Sequence, residues 1–260
     1  MFGMRRLGVM DLAGRHALVT GGGRGIGRAV AGALKAAGAH VSIIGRSAAT
    51  LQSAIAEGDA DSFALADVTN EAAVAAAVSA LSRERPLDIV VANAGGVETG
   101  PFLKSDAERF RRMLELNLIG TVNAFRATLP GMTERREGRL IAIASTAGHR
   151  GYPYVSAYVA AKHAVIGLTR SLALETARSG VTVNAICPGY TDTAMVADSI
   201  EAITAKTGKP GEQALAELVK GNPQGRLIAP EEVAAAVLYL CGPSSAGITG
   251  QSILINGGEF

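Results

Sequence analysis

The chain has 260 residues, 48% apolar and 18% charged, with Lys+Arg 25 against Asp+Glu 23. That apolar share excludes a disordered chain, and a net charge of +2 with no basic face or tail argues against a nucleic-acid or membrane-surface partner. Gly 32 without a G-X-Y period excludes collagen and implies many tight turns, while the absence of Trp leaves little for a base-stacking platform.

In chain order, short apolar runs alternate with Ala-rich helical stretches. His16–Thr20 runs into glycines and predicts a buried strand, and Arg28–Ala37 predicts a helix closed by Gly38. His40–Ile44 and Ser62–Leu65 predict two more strands with a helix between them. Asp88–Ala92 and Leu140–Ala144 follow, separated by a long helix from about Ser105 to Leu129. Another long helix spans Val155–Arg178, then Val181–Ile186 and Ser252–Ile255 complete seven strands. Continuous Val/Ile/Leu/Ala strands each followed by a helix predict a doubly wound parallel α/β sheet in one domain, residues 12–260, after a frayed segment 1–11. Residues 191–223 have helical spacing broken by Thr207-Gly-Lys-Pro-Gly211 and interrupt the alternation, which predicts a helical substrate lid.

Thr20-Gly21-Gly22-Gly23-Arg24-Gly25-Ile26-Gly27 joins the first strand to its helix. Its spacing is G-x-x-x-G-x-G, which suits a plain βα turn or a cradle for a pyrophosphate on a helix N-terminus. A site for NAD wants a carboxylate about 20 residues further on. Here Gly45-Arg46-Ser47 stands in that place, and no Asp or Glu occurs between Gly27 and Glu57. Arg46, with Arg24 as a second cation, suits a 2′-phosphate, so NADP(H) is expected over NAD(H).

Tyr158-Val-Ala-Ala-Lys162 sets a phenol and an ammonium at i and i+4 on one helix face. The same spacing also suits an exposed helix face. A phenol exchanges protons near neutral pH only if a nearby cation stabilises its anion, and Lys162 has the right charge and spacing. Ser145 ends the fifth strand, at the edge where open α/β sheets bind ligands, and could hold a carbonyl oxygen while Tyr158 protonates it. Asn117 is an amide where the long helix wants an apolar residue; a helix-bending or satisfied core role competes with a catalytic one. Asp67 follows the third strand and also suits a turn or N-cap. His16, His40, His149 and His163 lack ligand spacing, and Cys187 and Cys241 form no C-x-x-C pair, so neither metal nor disulfide is expected. Ser145 lacks the G-x-S-x-G of an α/β hydrolase. No apolar run matches a secretory signal or the ~20 residues of a membrane span, so a soluble cytoplasmic protein is expected.

From about Asp11 onward the chain resembles the short-chain dehydrogenase/reductases. The resemblance rests on Thr20–Gly27, Asp67-Val68, Asn93-Ala-Gly95, Asn117, Ser145, Tyr158-x-x-x-Lys162, Pro188-Gly189 and the Ile248-Thr-Gly-Gln-Ser…Asn256-Gly-Gly258 tail. It implies a Rossmann-type domain, with Gly21, Gly23, Arg24, Gly25, Ile26 and Gly27 about the pyrophosphate and Arg46 and Ser47 by the adenosine ribose. It further implies that Asp67 and Val68 meet the adenine, and that Asn93 and Gly95 line the cofactor. Pro188, Gly189, Thr191 and Thr193 would face the nicotinamide, and Lys162 would bind its ribose. Asn117 would hold a water of a proton relay through Lys162. Val97, Tyr190 and Met195 would touch substrate together with Ser145 and Tyr158.

The likeness is strongest to 3-oxoacyl-thioester reductases, including polyketide-type ketoreductases, which implies a 3-oxoacyl group on CoA or acyl carrier protein. Arg136 stands where carrier-protein reductases keep a docking Arg, whereas Arg178 sits one place off the second such position. Val97 and Ala147 replace polar groups that hydroxybutyrate dehydrogenases use for a carboxylate. Met195, Val196 and Ile200 would give the lid an apolar face for an acyl chain or ring. Reduction of a free cyclic or small ketone, or a non-catalytic dinucleotide sensor, are the competing expectations. The resemblance also implies a homotetramer packed through the long helices from Ser105 and Val155 and through the C-terminal segment.

Overall fold

The computed structural model describes residues 11–260, so most of the expected frayed segment, residues 1–10, lies outside it. Seven strands form one parallel sheet: β1 (His16–Thr20), β2 (His40–Gly45), β3 (Ser62–Leu65), β4 (Ile89–Ala92), β5 (Gly138–Ile143), β6 (Val181–Pro188) and β7 (Ser252–Ile255). Their spatial order is β3-β2-β1-β4-β5-β6-β7. The helices are α1 (Gly25–Ala36), α2 (Ala48–Ala56), α3 (Glu71–Leu81), α4 (Ala107–Leu114), α5 (Gly120–Arg135), α6 (Ser156–Thr176), α7 (Ala194–Thr207), α8 (Gly211–Val219) and α9 (Pro230–Cys241).

The strands read as unbroken apolar runs because both faces of the sheet are covered. Ala17, Val19, Ile89, Val91, Ile141 and Ile143 face the core shared with α1, α2 and α9. The intervening Leu18, Val90, Leu140 and Ala142 face the core shared with α3, α5 and α6. Leu18, Leu34 and Leu140 are fully buried, each stabilising the fold by about 1.5–3 kcal/mol relative to an exposed side chain. Polar side chains start several helices: Ser47, Asn70 and Asp106 accept from the amides of Thr50, Ala73 and Arg109.

The single long helix expected over 105–129 is interrupted. α4 passes through a π-helical turn, Glu115–Ile119, before α5 begins. Asn117 lies in this turn: its Nδ2 donates to the carbonyls of Met113 and Gly96, both at 3.0 Å, and its Oδ1 accepts from Gly96 N–H at 3.3 Å. The helical hydrogen-bond ladder is interrupted where this side chain reaches across to the loop after β4. Residues 191–223 are helical as expected, with the break where Gly208 (φ 70°) ends α7 and Pro210 precedes α8. This excursion is pinned at its base, because Thr191 bridges Ile228 and Ile228 N–H donates to the Tyr190 carbonyl at 2.9 Å.

Candidate active site

The sheet order turns about β1: the chain runs outward to β2 and β3, then returns to β4 on the other side. The crevice at the carboxyl ends of β1 and β4 is therefore the switch point where such sheets bind ligands. Two loops meet there. Thr20 Oγ1 accepts from the amides of Asn93 and Ala94, both at 3.0 Å, and Asn93 Nδ2 donates to the carbonyls of Thr20 and Gly21.

Gly21 adopts φ 65°, and a Cβ there would lie 3.0 Å from both Ala94 Cα and Asn93 Nδ2. A Cβ at Gly27 would run into the Gly21 carbonyl oxygen. These close approaches require glycine and leave the loop as backbone alone. Arg24 starts α1 with no side-chain cap, and the first turn holds no acidic residue. The amides of α1 therefore face outward with their partial positive charge unanswered by the protein, which suits a pyrophosphate.

Arg46 and Ser47 follow β2, and Asp67 and Val68 follow β3. The Arg46 guanidinium is largely exposed and stands 3.7 Å from Asp67 Oδ2. The Asp67 carboxyl is held below its ordinary range, chiefly by the Thr69 amide, with Arg46 adding its charge. Ser47 Oγ is occupied in capping α2. Val68 is buried, and its carbonyl accepts from Asn123 Nδ2 at 2.8 Å. Across the crevice Gly189 N–H donates to the Ile255 carbonyl, and Thr193 packs against Gly25, 3.3 Å from where a Cβ would stand. Thr191 is buried, with its hydroxyl on the Gly189 carbonyl at 3.1 Å.

Ser145, Tyr158 and Lys162 come together just beyond β5. Ser145 Oγ accepts from Ala147 N–H at 3.1 Å, and its side chain favours the ionised form of the Tyr158 phenol. Burial raises the Tyr158 phenol above its ordinary value, and Ser145 pulls it partly back. Lys162 is 5% exposed and donates to the Ile143 carbonyl at 2.8 Å. Burial pushes its ammonium down to about 8. Its Nζ lies 5.6 Å from the Tyr158 ring centroid. Here the ammonium is turned to a backbone carbonyl, and desolvation is the largest influence on both groups. A Cβ at Gly95 would be 2.7 Å from Asn117 Oδ1 and 3.7 Å from Lys162 Nζ, which sets Asn117 beside Lys162 as well.

The substrate-side expectations divide. Val97 is half-buried, and Tyr190 and Met195 are 40% and 42% exposed. Val196 is buried and half-buried Ile200 packs toward Gly211 of α8, so of the three expected apolar lid residues only Met195 is exposed. Arg136 is folded back, with Nη2 on the Arg178 carbonyl at 2.9 Å. Sequence reading missed Thr146, Tyr152 and Glu259, a hydrogen-bonded group that begins at the residue after Ser145; no local motif marks them, since Glu259 joins the other two only through the fold. Among the described residues no cluster of His, Cys, Asp and Glu is arranged for a metal, both cysteines are free and buried, and no helix is long and apolar enough to cross a membrane.

A family model described as Enoyl-(Acyl carrier protein) reductase matches residues 21–259. The chain is 38% identical over 248 residues to 2-keto-3-deoxy-L-fuconate dehydrogenase of Xanthomonas campestris pv. campestris, covering 95% of this chain and 80% of the relative. It is 37% identical over 257 residues to 3-oxoacyl-[acyl-carrier-protein] reductase FabG of Vibrio cholerae, covering 96% and 99%. The solved structure of an actinorhodin polyketide ketoreductase variant with NADPH superposes with a TM-score of 0.90 at 36% identity, covering 94% of this chain and 97% of that one. The glycine cradle, the Ser145–Tyr158–Lys162 group and these similarities agree: the chain belongs to the short-chain dehydrogenase/reductase family and is an oxidoreductase of the CH–OH/C=O pair.

Proposed function

We propose that this protein is an NADPH-dependent carbonyl reductase that converts the 3-oxo group of a 3-oxoacyl thioester, carried on CoA or acyl carrier protein, to the 3-hydroxyacyl product. The observation that carries the reading is the meeting of Ser145, Tyr158 and buried Lys162 at the same sheet edge as the uncapped start of α1. When bound in the cradle, a nicotinamide dinucleotide would supply the hydride for the carbonyl carbon. Ser145 Oγ–H holds the carbonyl oxygen, and Tyr158 Oη–H delivers the proton as charge develops there. Burial keeps Tyr158 protonated before reaction, as reduction requires. Lys162 would hold the nicotinamide ribose and, as a cation, would stabilise the negative charge left on Tyr158 when it gives up its proton.

The cradle Gly21, Gly23, Gly25, Ile26 and Gly27 would hold the pyrophosphate, with Asn93 and Gly95 flooring the crevice and Pro188, Gly189, Thr191 and Thr193 closing it. Arg24, Arg46 and Ser47 would take the 2′-phosphate, and Asp67 and Val68 the adenine. Residues 191–223 would act as a lid hinged at the Thr191–Ile228 bridge. The family likeness to a 3-oxoacyl reductase and a polyketide ketoreductase supports the thioester class, and Tyr190 and Met195 offer the acyl chain an apolar mouth. A soluble cytoplasmic homotetramer is the working form; elution at monomer size would refute that assembly.

A second reading, reduction of a free ketone, draws on Arg136: with its guanidinium folded onto the Arg178 carbonyl, it is less ready to meet an acyl carrier. The test is NADPH oxidation with acetoacetyl-CoA, with NADH and a panel of free ketones in parallel. Turnover of acetoacetyl-CoA with NADPH and little with NADH supports the first reading. Turnover of free ketones alone moves the substrate to the second. Binding of NADPH without turnover of any carbonyl overturns both.

A further inference from the structure

Glu259 lies in the segment after β7, yet its side chain is only 7% exposed. Its Oε1 accepts from Tyr152 Oη at 2.8 Å and stands 3.6 Å from Arg150 Nη1. Tyr152 Oη is also 2.9 Å from Thr146 Oγ1. A phenol has one proton, and a carboxylate oxygen is the stronger acceptor. The directions are therefore settled: Thr146 O–H donates to Tyr152, and Tyr152 O–H donates to Glu259. Thr146 is buried and is the neighbour of Ser145. Burial beside this carboxylate raises the Tyr152 phenol to about 12, so the donated proton stays in place.

The same carboxylate touches the far end of the α7–α8 excursion. A Cβ at Gly221, just after α8, would lie 3.1 Å from Glu259 Oε1, and one at Gly189 would lie 3.8 Å from Oε2. The rings of Tyr152 and Tyr190 meet edge to face at 6.4 Å. The Arg150 guanidinium sits 5.0 Å from the Tyr152 ring and 5.1 Å from the Phe260 ring, which closes the cluster on its outer side. None of these groups belongs to the proton path through Ser145, Tyr158 and Lys162. They join three separate segments behind it: the loop after β5, the start and end of the lid excursion, and the segment after β7.

We propose that Glu259 is a positioning residue: it holds the Tyr152 hydroxyl, orients Thr146 beside Ser145, and seats the end of α8, so that it sets the width of the carbonyl substrate's mouth. This rests on the carbonyl-reductase reading for its kinetic consequence only. Glu259→Ala removes the acceptor, Tyr152→Phe removes the donor, and Glu259→Gln keeps an acceptor oxygen. The measurements are amide hydrogen exchange of the protein without cofactor, the Kd for NADPH, and the split of kcat and KM for the carbonyl substrate.

Expected are faster exchange confined to residues 146–152 and 219–226 in Glu259→Ala and Tyr152→Phe, and an unchanged NADPH Kd. The carbonyl KM should rise about tenfold, as for loss of one charge-assisted hydrogen bond, with a smaller change in kcat. Glu259→Gln should recover most of both effects. Unchanged exchange in those segments, exchange that quickens equally in the strands, or an NADPH Kd that moves with the KM overturns the proposal. If the unaltered protein reduces no carbonyl, the carbonyl-reductase reading fails by itself, and the exchange pattern alone still decides whether Glu259 holds these segments.

Discussion

Lys162 Nζ stands 5.6 Å from the centroid of the Tyr158 ring while donating to the Ile143 carbonyl at 2.8 Å. The two side chains are one helical turn apart on α6, and both are pulled toward their neutral forms by the same desolvation. Tyr158 consequently starts as the proton donor that reduction needs, whereas the charge on Lys162 is held less firmly.

That imbalance sets the pH profile. Lys162, pushed down to about 8, is cationic below that pH and neutral above it. Since kcat/KM reports ionisations of the free enzyme, kcat/KM for NADPH in the reducing direction should fall as pH rises through about 8. Stopped assays from pH 6.5 to 9.5 check this, and a flat profile across 7.5–9 counts against a required Lys162 cation. In Lys162→Arg the alkaline limb should vanish from this range, because a guanidinium stays charged.

Tyr158→Phe keeps the ring and removes the proton. General-acid catalysis contributes about 10²–10⁴-fold, so kcat should drop by that factor while the Kd for NADPH stays close to that of the unaltered protein. Loss of less than tenfold would place the proton donor elsewhere. Ser145→Ala should cost about 10²–10³-fold, the range seen for loss of a donor to a developing oxyanion.

Arg46 is exposed and only loosely engaged with Asp67. Replacing it with Ala should weaken NADPH binding by about tenfold to a hundredfold, the worth of a charge-assisted hydrogen bond, and leave NADH nearly unaffected. Arg46→Asp should reverse the preference. Fluorescence titration of the two reduced dinucleotides reads both effects, and equal affinities in the unaltered protein would refute the NADPH assignment.

A fourth prediction concerns acid stability. His16 on β1 is fully buried: its Nδ1 faces the Arg85 carbonyl at 2.9 Å and its Nε2 faces Ser42 Oγ at 2.7 Å, with Ser62 Oγ a further 2.8 Å on. The carbonyl can only accept, so Nδ1 carries the proton and Ser42 donates to Nε2. Burial lowers the imidazole below its ordinary value of 6.5, against the hydrogen bond to the Arg85 carbonyl, which favours the charged form and recovers only part of the shift. Between the lowered value and 6.5 the unfolded chain binds more protons than the folded one, so stability rises with pH across that window. His16 contributes fully above 6.5, and its contribution is lost as pH falls below it. Urea denaturation from pH 7.5 to 5 should show a decline steeper than in His16→Gln by up to about 1.4 kcal/mol per pH unit, one proton's worth. Parallel declines would exclude His16 as the group responsible.

Much of the fold was legible because strands buried on both faces need unbroken apolar runs. His16–Thr20, Ser62–Leu65 and Ser252–Ile255 fall within the bounds expected from sequence. The glycine loop and the Tyr158–Lys162 pair were legible for a similar reason, since a close backbone approach and an i, i+4 spacing are local properties. The interrupted helix at Asn117 was not, because the π turn is where that side chain bonds to Gly96, in the loop after β4, and no local spacing encodes that contact. Periodicity alone could not foresee that Val196 would turn inward and leave Met195 exposed.

The sequence by itself determined the parallel α/β class, the cradle after β1 and the identity of the groups at the sheet edge, because each depends on spacing within one segment. Only the tertiary structure decided how those groups are tuned and held. Burial sets the protonation of Tyr158 and Lys162, and the sheet's turn about β1 brings Asn93 against Thr20. The packing of three segments brings Glu259 to Tyr152 from 107 positions away. Desolvation and long-range hydrogen bonds exist only once distant parts of the chain share one volume, so no local pattern encodes them.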